Sequence, residues 1–192
     1  MISIATRTDY ENSLRPRQVS LKTFMEKYRE GGKGCKYEWN NGFLEKYQTM
    51  KQVETLIYLN LMQYFVKTKA FGAKSILTEE TEVWMSDVQM RKPDIAFWTY
   101  DQVKTGYLGI NNIPLFVIEV ISEYDQVNKL KKKIDEYFNA GVQVVWHIFP
   151  ENKMVEIYTS PKNVVICTGS DICSAASVIP DMMFSVDDLF AF

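Results

Sequence analysis

The sequence predicts a mixed α/β (α+β) fold in which helices flank a central mixed β-sheet. Residues 115–121 are almost wholly apolar, which is typical of a short central strand covered on both faces. The lysine-rich residues 125–140 repeat their apolar positions at helical spacing and end before Gly141. Residues 142–149 are a second candidate for a buried strand. Strand, helix and strand in this order form a βαβ-like unit inside a mixed sheet.

Shorter elements are predicted around this unit. Residues 20–28 are predicted as a helix with Ser20 as its N-cap, and Asn41-Gly42 between two aromatic-rich runs predicts a hairpin. Apolar residues recurring near helical period predict a long amphipathic helix from about residue 50 to residue 68. The remaining elements are predicted as strands near residues 75–78, 82–85, 91–99, 154–158 and 164–167, and a helix at 186–190.

Length and composition are typical of one globular domain. The 192 residues are 46% hydrophobic and 24% charged, so the chain can bury about 70% of its unfolded surface without a metal or disulfide staple. We predict a polar N-terminal arm at residues 1–19 and one domain at residues 20–192. No segment approaches the roughly 18 apolar residues of a membrane span, and residues 1–17 lack the apolar core of a signal peptide. A cytoplasmic protein without a membrane partner is therefore expected.

Charge and rare residues narrow the possible chemistry. The net charge of −2 creates no global positive field, so any nucleic acid must be held by a local basic patch. The three cysteines form no CxxC pair, which suits reduced thiols. The single histidine, His147, excludes zinc sites that need two or three histidines, and we predict that it is a hydrogen-bonded sheet residue. Carboxylates, lysines and an oxygen-liganded metal remain as means of catalysis.

Two carboxylates lie where a charge is costly. Glu119 is in the middle of the apolar strand, and Asp94 follows Pro93 near the start of the strand predicted at residues 91–99. Each acid could pair with a basic residue as a structural bridge. Alternatively, both bind Mg²⁺ or Mn²⁺, which takes oxygen ligands and can activate a water for attack on a phosphodiester. On neighbouring strands roughly 4.8 Å apart, the two carboxylates would converge on one cleft.

A lysine near these acids would stabilise negative charge on a phosphoryl group. On a helical wheel, Lys131 and Lys133 fall on opposite edges of the apolar stripe of the lysine-rich helix, whereas Lys129 and Lys132 point further out. The wheel does not distinguish Lys131 from Lys133. A solvated helix face is the alternative for all four lysines.

Several motifs together resemble one known family. They are Lys92-Pro-Asp-Ile-Ala-Phe97, Glu119-Val-Ile-Ser122, Lys133-Ile-Asp-Glu-Tyr137, and Tyr37-Glu38 with Gly42 in the hairpin. Together they resemble the Uma-type restriction endonuclease family of the PD-(D/E)XK nuclease superfamily, over nearly the whole chain from about residue 19. The resemblance implies a restriction-endonuclease-like fold with Asp94 and Glu119 as metal ligands. It also implies Lys133 as the catalytic lysine and Glu38 as a further, weaker candidate.

The sequence departs from the family pattern at several positions. Ile121 stands where the parent superfamily has its lysine, whereas the Uma-type pattern takes a lysine from the following helix, which favours Lys133. Lys129 stands where the family often has an aspartate, and Glu54 stands where it often has a histidine. Reduced or lost activity is therefore one alternative.

The sequence thus predicts a metal-dependent endonuclease that hydrolyses DNA phosphodiester bonds with Mg²⁺ or Mn²⁺. The resemblance, together with aromatic residues expected at the surface, also predicts a homodimer. The alternatives are a catalytically silent nucleic-acid- or protein-binding module that keeps the fold, and a hydrolase of another phosphoester. Five aromatic residues could stack on unpaired bases or fill a core or an interface: Trp39, Tyr47, Trp84, Trp98 and Tyr100.

Overall fold

The structure is a computed structural model that describes residues 17–49, 52–123 and 125–191, without the side chains of residues 52 and 53. The helices are α1 (Leu21–Lys27), α2 (Gln52–Phe65), α3 (Lys69–Gly72), α4 (Tyr100–Tyr107), α5 (Val127–Ala140) and α6 (Val186–Leu189). The strands are β1 (Arg17–Gln18), β2 (Cys35–Asn40), β3 (Phe43–Gln48), β4 (Ile76–Glu79), β5 (Val83–Ser86), β6 (Gln89–Arg91), β7 (Ile95–Trp98), β8 (Phe116–Val120), β9 (Val144–Phe149), β10 (Met154–Ser160), β11 (Asn163–Thr168), β12 (Ile172–Ala175) and β13 (Ile179–Ser185).

Among the described residues, a six-stranded mixed sheet forms the centre of the fold, in the order β11-β10-β9-β8-β7-β4. Strands β8 and β9 are parallel neighbours joined through helix α5. The other neighbours in this sheet pair antiparallel. Every residue of β8 is buried, because helices cover both faces of the sheet at this strand. The predicted mixed sheet with its βαβ-like unit is therefore confirmed.

Alternate residues of the central strands point to opposite faces of the sheet. On one face, Ile118 belongs to a core cluster with Leu61 of α2. On the other face, Val117 packs in a cluster with Tyr137 of α5. Because side chains alternate along a strand, Glu119 points to the same face as Val117. This alternation directs the acid of the central strand toward the lysine-rich helix.

A second, five-stranded sheet lies within the same described ranges, in the order β1-β3-β2-β6-β5. Its centre is the hairpin of β2 and β3, and the predicted turn at Asn41-Gly42 is confirmed by left-handed φ angles of 51° and 84°. Most of the predicted N-terminal arm, residues 1–16, lies outside the described residues. Its last part, β1, pairs with β3 at the edge of this sheet.

The strand predicted at residues 91–99 is wrong as a single element. Its two ends belong to different sheets, because β6 ends at Arg91 in the second sheet and β7 begins at Ile95 in the central sheet. Pro93 lies between them, has no backbone N–H and cannot continue a ladder of hydrogen bonds. The interruption places Asp94 at the junction of the two sheets.

Local capping signals explain several helix ends. Ser20 caps α1 as predicted, since its hydroxyl accepts a hydrogen bond from the backbone N–H of Thr23. Helix α4 is missing from the sequence prediction although Thr99 and Gln102 form a capping box at its start. Within the described residues, no helix combines the length and the apolar character needed to cross a membrane.

Candidate active site

The four residues nominated from the sequence come from four separate parts of the fold and meet at one end of the central sheet. Glu38 lies in β2, Asp94 immediately precedes β7, Glu119 lies in β8 and Lys133 lies in α5. Each of these residues is at most 9% exposed. Ionised groups are seldom buried to this extent without a partner, so the contacts among them decide what the site can do.

Strand register brings the two predicted metal ligands side by side. Ile95 of β7 lies opposite Ile118 of the antiparallel neighbour β8, so Asp94 falls next to Glu119. Oδ2 of Asp94 accepts a 2.7 Å hydrogen bond from the backbone N–H of Val120, which holds this carboxylate against β8. Asp94 and Glu119 line the same cavity, which has a volume of about 200 Å³. The two acids therefore share one cleft.

Lys133 is the helix lysine that reaches the acids. Its Nζ lies 2.9 Å from Oε1 of Glu119 and 3.0 Å from Oε1 of Glu38. One turn further along α5, the hydroxyl of Tyr137 donates a 2.5 Å hydrogen bond to the same oxygen of Glu119. Lys131, which the helical wheel could not separate from Lys133, is exposed. The rotation of α5 on the sheet makes this distinction, because it turns the Lys133 edge of the stripe inward.

Burial and pairing act in opposite directions on these charges. Burial raises the pKa of Glu119, and the neighbouring ammonium of Lys133 offsets this shift only in part. Burial alone would also raise the pKa of Glu38, but Lys133 and Arg91 lower it to about 2. Burial would lower the pKa of Lys133, but Glu119 and Glu38 raise it above its usual value. Lys133 is therefore an ammonium at neutral pH, which suits charge stabilisation better than proton abstraction.

A buried arginine that the sequence analysis did not identify holds Glu38. Arg91 donates from Nη1 to Glu38 at 2.8 Å and to Glu45 at 2.5 Å, and from Nη2 to Glu136. The other oxygen of Glu38 accepts hydrogen bonds from Lys133 and from the backbone N–H of Lys92. Both oxygens of Glu38 are thus engaged by groups of the chain itself. No local pattern identifies Arg91, because its partners are brought to it by the pairing of β2 with β6 and by helix α5.

A second buried lysine, also missed, contacts Asp94. Nζ of Lys36 lies 2.5 Å from Oδ1 of Asp94 and 3.5 Å from Oε1 of Glu80. Burial would lower the pKa of Lys36, but Asp94 and Glu119 raise it above its usual value. The available signal was strand alternation, since Lys36 lies two residues before Glu38 in β2 and so points to the same face.

The donor set of the cleft suits a hard divalent cation. Asp94 and Glu119 offer carboxylate oxygens, and Mg²⁺ is usually bound by one or two carboxylates together with waters and phosphate. The contacts of Lys133 and Tyr137 with Glu119 both fall on Oε1, which leaves Oε2 outside these interactions. In the part of the chain that the structure describes, no cluster of three or more His, Cys, Asp or Glu side chains could hold a metal. A cation in this cleft would therefore take its ligands from Asp94, Glu119, water molecules and the substrate.

The aromatic candidates separate into core and site residues. Trp39 and Trp98 are buried in two core clusters, which agrees with the core alternative and not with base stacking, and Trp84 packs against the cluster that contains Trp39. Tyr47 belongs to the site, because its ring centroid lies 4.7 Å from Nζ of Lys133. Tyr100 is exposed at the start of α4.

His147 lies one strand away from the site. The parallel register of β8 and β9 places it opposite Glu119, and it is 2% exposed. Its Nδ1 lies 3.9 Å from Oε2 of Glu156, beyond hydrogen-bond distance, and its Nε2 has no hydrogen-bond partner within the described residues. The prediction of a hydrogen-bonded histidine is therefore wrong for this side chain, because the strands and α5 enclose it without supplying a partner.

The chain is similar to known nuclease-like proteins. The family model Uma2, described as "Putative restriction endonuclease", matches residues 23–187. Among solved structures, the chain resembles a putative nuclease belonging to DUF820 from Anabaena variabilis, with a TM-score of 0.73 and 17% sequence identity. That match covers 90% of this chain and 97% of the other chain, and at this identity it shows the shared fold alone. No curated protein sequence matches the chain.

The single histidine permits a direct test of the burial at this end of the sheet. Burial, with smaller contributions from Lys133 and Lys131, lowers the pKa of His147 from 6.5 to about 4. The unfolded chain then binds a proton at a pH where the folded protein does not. The contribution of the neutral His147 to the free energy of unfolding is therefore fully present above pH 6.5 and is lost as the pH falls toward 4.

We expect an NMR titration of the folded protein to place the midpoint of the imidazole near pH 4. In His147→Asn, the free energy of unfolding should fall less steeply with acidification over the same pH range. A midpoint near the ordinary value of 6.5 would contradict the buried environment.

Proposed function

Because this chain belongs to the Uma2 family of putative restriction endonucleases, we propose that it is a metal-dependent endonuclease that hydrolyses DNA phosphodiester bonds. One observation carries the proposal. Asp94, Glu119 and Lys133 come from separate elements, are buried, and line one cavity. Clefts with buried, mutually perturbed charges are typical of catalytic sites.

In this proposal Asp94 and Glu119 hold Mg²⁺ or Mn²⁺, which supplies water activation and offsets charge on the phosphoryl group. Lys133 provides a fixed positive charge for the negative charge that develops on the phosphate oxygens. Its position is fixed by Glu38, at 3.0 Å, and by Glu119, at 2.9 Å. Tyr137 donates its hydroxyl hydrogen to Glu119 and so orients that carboxylate. Glu38 acts in this arrangement through Lys133.

Lysines in the cavity support DNA as the substrate. The net charge of the chain is −2, so attraction of a phosphate backbone has to come from one region of the surface. Four lysines line the cavity, Lys36, Lys46, Lys129 and Lys133, together with four acids, Asp94, Glu119, Glu54 and Asp125. A phosphodiester entering this cavity would meet the cation ligands and the lysines at the same place.

A catalytically silent module is the second candidate, and one contact favours it. Nζ of Lys36 lies 2.5 Å from Oδ1 of Asp94, so an oxygen needed for the cation already carries an ammonium group. A protein in which this pair is permanent would keep the fold and bind nucleic acid or protein without cleavage. The same acids could also serve a hydrolase of another phosphoester.

We further propose a homodimer formed through β11. The order of the central sheet ends at this strand, and the consecutive residues Val164, Val165 and Ile166 are 44%, 61% and 56% exposed. Consecutive residues point to opposite faces, so apolar side chains are exposed on both faces of the edge. An exposed apolar edge strand is a template for pairing with another strand. Two antiparallel copies of β11 would be self-complementary about a twofold axis.

The nuclease proposal predicts nicking of supercoiled plasmid DNA by purified protein with Mg²⁺ or Mn²⁺, measured by gel electrophoresis. Asp94→Asn should abolish nicking, because it removes the charge of one cation ligand while keeping the shape of the side chain. DNA binding without cleavage by the wild-type protein, across several metals and substrates, would favour the silent module. Cleavage of a small chromogenic phosphodiester but not of DNA would favour another phosphoester substrate.

The two helix lysines should behave differently. Lys133→Met should lower the cleavage rate by about 10²–10³, the usual effect of removing an electrostatic stabiliser. Lys131→Met is the matched control on the same helix and should retain most of the activity. Because Lys133→Met also leaves buried carboxylates unpaired, circular dichroism must establish that the variant is folded at the assay temperature. Equal rates for the two folded variants would argue against a catalytic role of Lys133.

If β11 forms the dimer interface, a charged substitution in this strand should convert the dimer to a monomer. Wild-type protein should elute as a dimer in size-exclusion chromatography with light scattering, and Val165→Lys should elute as a monomer. Val103→Lys, which adds the same charge at an exposed valine of α4, is the control and should remain dimeric. A wild-type monomer at high protein concentration would rule out the proposed dimer.

A further inference from the structure

Donors of the chain itself engage both oxygens of Asp94. Oδ1 is 2.5 Å from Nζ of Lys36, and Oδ2 accepts the backbone N–H of Val120 at 2.7 Å. The side chain of Lys36 is 6% exposed, so water screens this ion pair little. A divalent cation bound at Oδ1 would lie close to the ammonium group of Lys36, and the two positive charges would repel each other. Movement of Lys36 away from Asp94 therefore favours binding of a cation there.

A second acceptor lies beside the ammonium group of Lys36. Oε1 of Glu80 is 3.5 Å from the same Nζ, and the Glu80 side chain is 27% exposed. The backbone N–H of Glu80 donates a 3.1 Å hydrogen bond to the backbone oxygen of Asp94, which keeps the two residues adjacent. A small rotation of the Lys36 side chain would thus exchange one carboxylate partner for another. The lysine would keep a partner throughout this movement.

The charge balance of the cleft explains why a movable ammonium group is useful. Asp94 and Glu119 are buried neighbours, and the negative charge of Asp94 disfavours the ionised form of Glu119. Lys133 already contacts Glu119. Lys36 compensates Asp94 in the same way, and a divalent cation added without any movement would place a further positive charge next to Lys36 and Lys133.

We propose that Lys36 is a resident counter-ion of the cation site, which neutralises Asp94 in the metal-free protein and is displaced toward Glu80 when a divalent cation binds. The inference rests on the proposed function to the extent that Asp94 and Glu119 are the cation ligands. It assigns Lys36 a positioning role, since this lysine sets the affinity for the cation through Asp94.

The test is the affinity of the metal-free, full-length protein for Mn²⁺, measured by isothermal titration calorimetry and by electron paramagnetic resonance of free Mn²⁺. Lys36→Met should bind Mn²⁺ at least about tenfold more tightly than wild type, equivalent to roughly 1.4 kcal/mol. Lys129→Met is the control, because it removes one positive charge from the same cavity. Its effect on Mn²⁺ affinity should be clearly smaller. Unchanged or weaker binding by Lys36→Met would overturn the proposal.

Thermal unfolding gives an independent readout. In EDTA, Lys36→Met should melt at a lower temperature than wild type, because Asp94 loses its buried partner. Added Mn²⁺ should raise the melting temperature of this variant more than that of wild type, since a tighter ligand of the folded state stabilises it more. Equal or smaller stabilisation by Mn²⁺ would contradict the proposal. If Lys36→Met does not fold, Lys36→Gln provides the same test while keeping a hydrogen-bond donor for Asp94.

Glu80→Gln tests the destination of the displaced ammonium group. This variant should bind Mn²⁺ more weakly than wild type, because the displaced Lys36 would no longer find a charged partner. Unchanged Mn²⁺ affinity would overturn the displacement toward Glu80.

The wild-type result separates this inference from the proposed function. If wild type binds Mn²⁺ and Lys36→Met binds it no more tightly, the role of Lys36 is wrong and the nuclease proposal stands. If no variant binds Mn²⁺, the metal site and the inference both fail. If Lys36→Met binds Mn²⁺ where wild type does not, the counter-ion role is supported, its displacement by a cation is overturned, and the wild-type protein corresponds to the silent module.

Discussion

The contact of Lys133 with Glu38 and Glu119 is the interaction on which the candidate site depends. Three titratable side chains are buried here, and Nζ of Lys133 lies 2.9 Å from Glu119 and 3.0 Å from Glu38. Removal of one partner from a buried ion pair typically costs about 3–5 kcal/mol, so replacing any one of the three groups destabilises the fold as well as the site. The same contact joins β2 of the second sheet, β8 of the central sheet and helix α5. Charge compensation therefore also fixes how these three elements pack.

The two sheets meet at this cluster because the chain passes from one sheet to the other at Pro93. Since β6 ends before it and β7 begins after it, one short segment carries Arg91 into the second sheet and Asp94 to the edge of the cleft. Arg91 then compensates Glu38, while Asp94 receives Lys36 from the same strand as Glu38. The site is thus built where the two sheets meet. The central sheet supplies Asp94 and Glu119, the second sheet supplies Glu38, Lys36 and Arg91, and helix α5 supplies Lys133.

The need to compensate buried carboxylates bears both on catalysis at this site and on the alternative of a catalytically silent protein. A metal-dependent phosphodiesterase needs carboxylates that stay ionised inside the protein, and such carboxylates need compensating cations when no metal is bound. Lys36 meets this need at Asp94, as Lys133 does at Glu119. If a metal ion displaces Lys36 from Asp94, the protein can be an enzyme. If Lys36 stays bound to Asp94, the protein is a binding module with the same fold.

The sequence by itself determined the central strand with its acid, the helix that follows it, the hairpin turn and the identity of Asp94, Glu119, Lys133 and Glu38 as residues to examine. Apolar patterning and turn residues are the local signals behind the strand, the helix, the hairpin and the two acids Asp94 and Glu119. The choice of Lys133 over Lys131, and the choice of Glu38, came from the resemblance to the nuclease family. Only the tertiary structure decided which basic side chains reach these acids. The pairs Lys36–Asp94 and Arg91–Glu38 are separated by 58 and 53 positions. Such contacts arise from the pairing of strands and the rotation of a helix on a sheet, and no pattern within a short window encodes them.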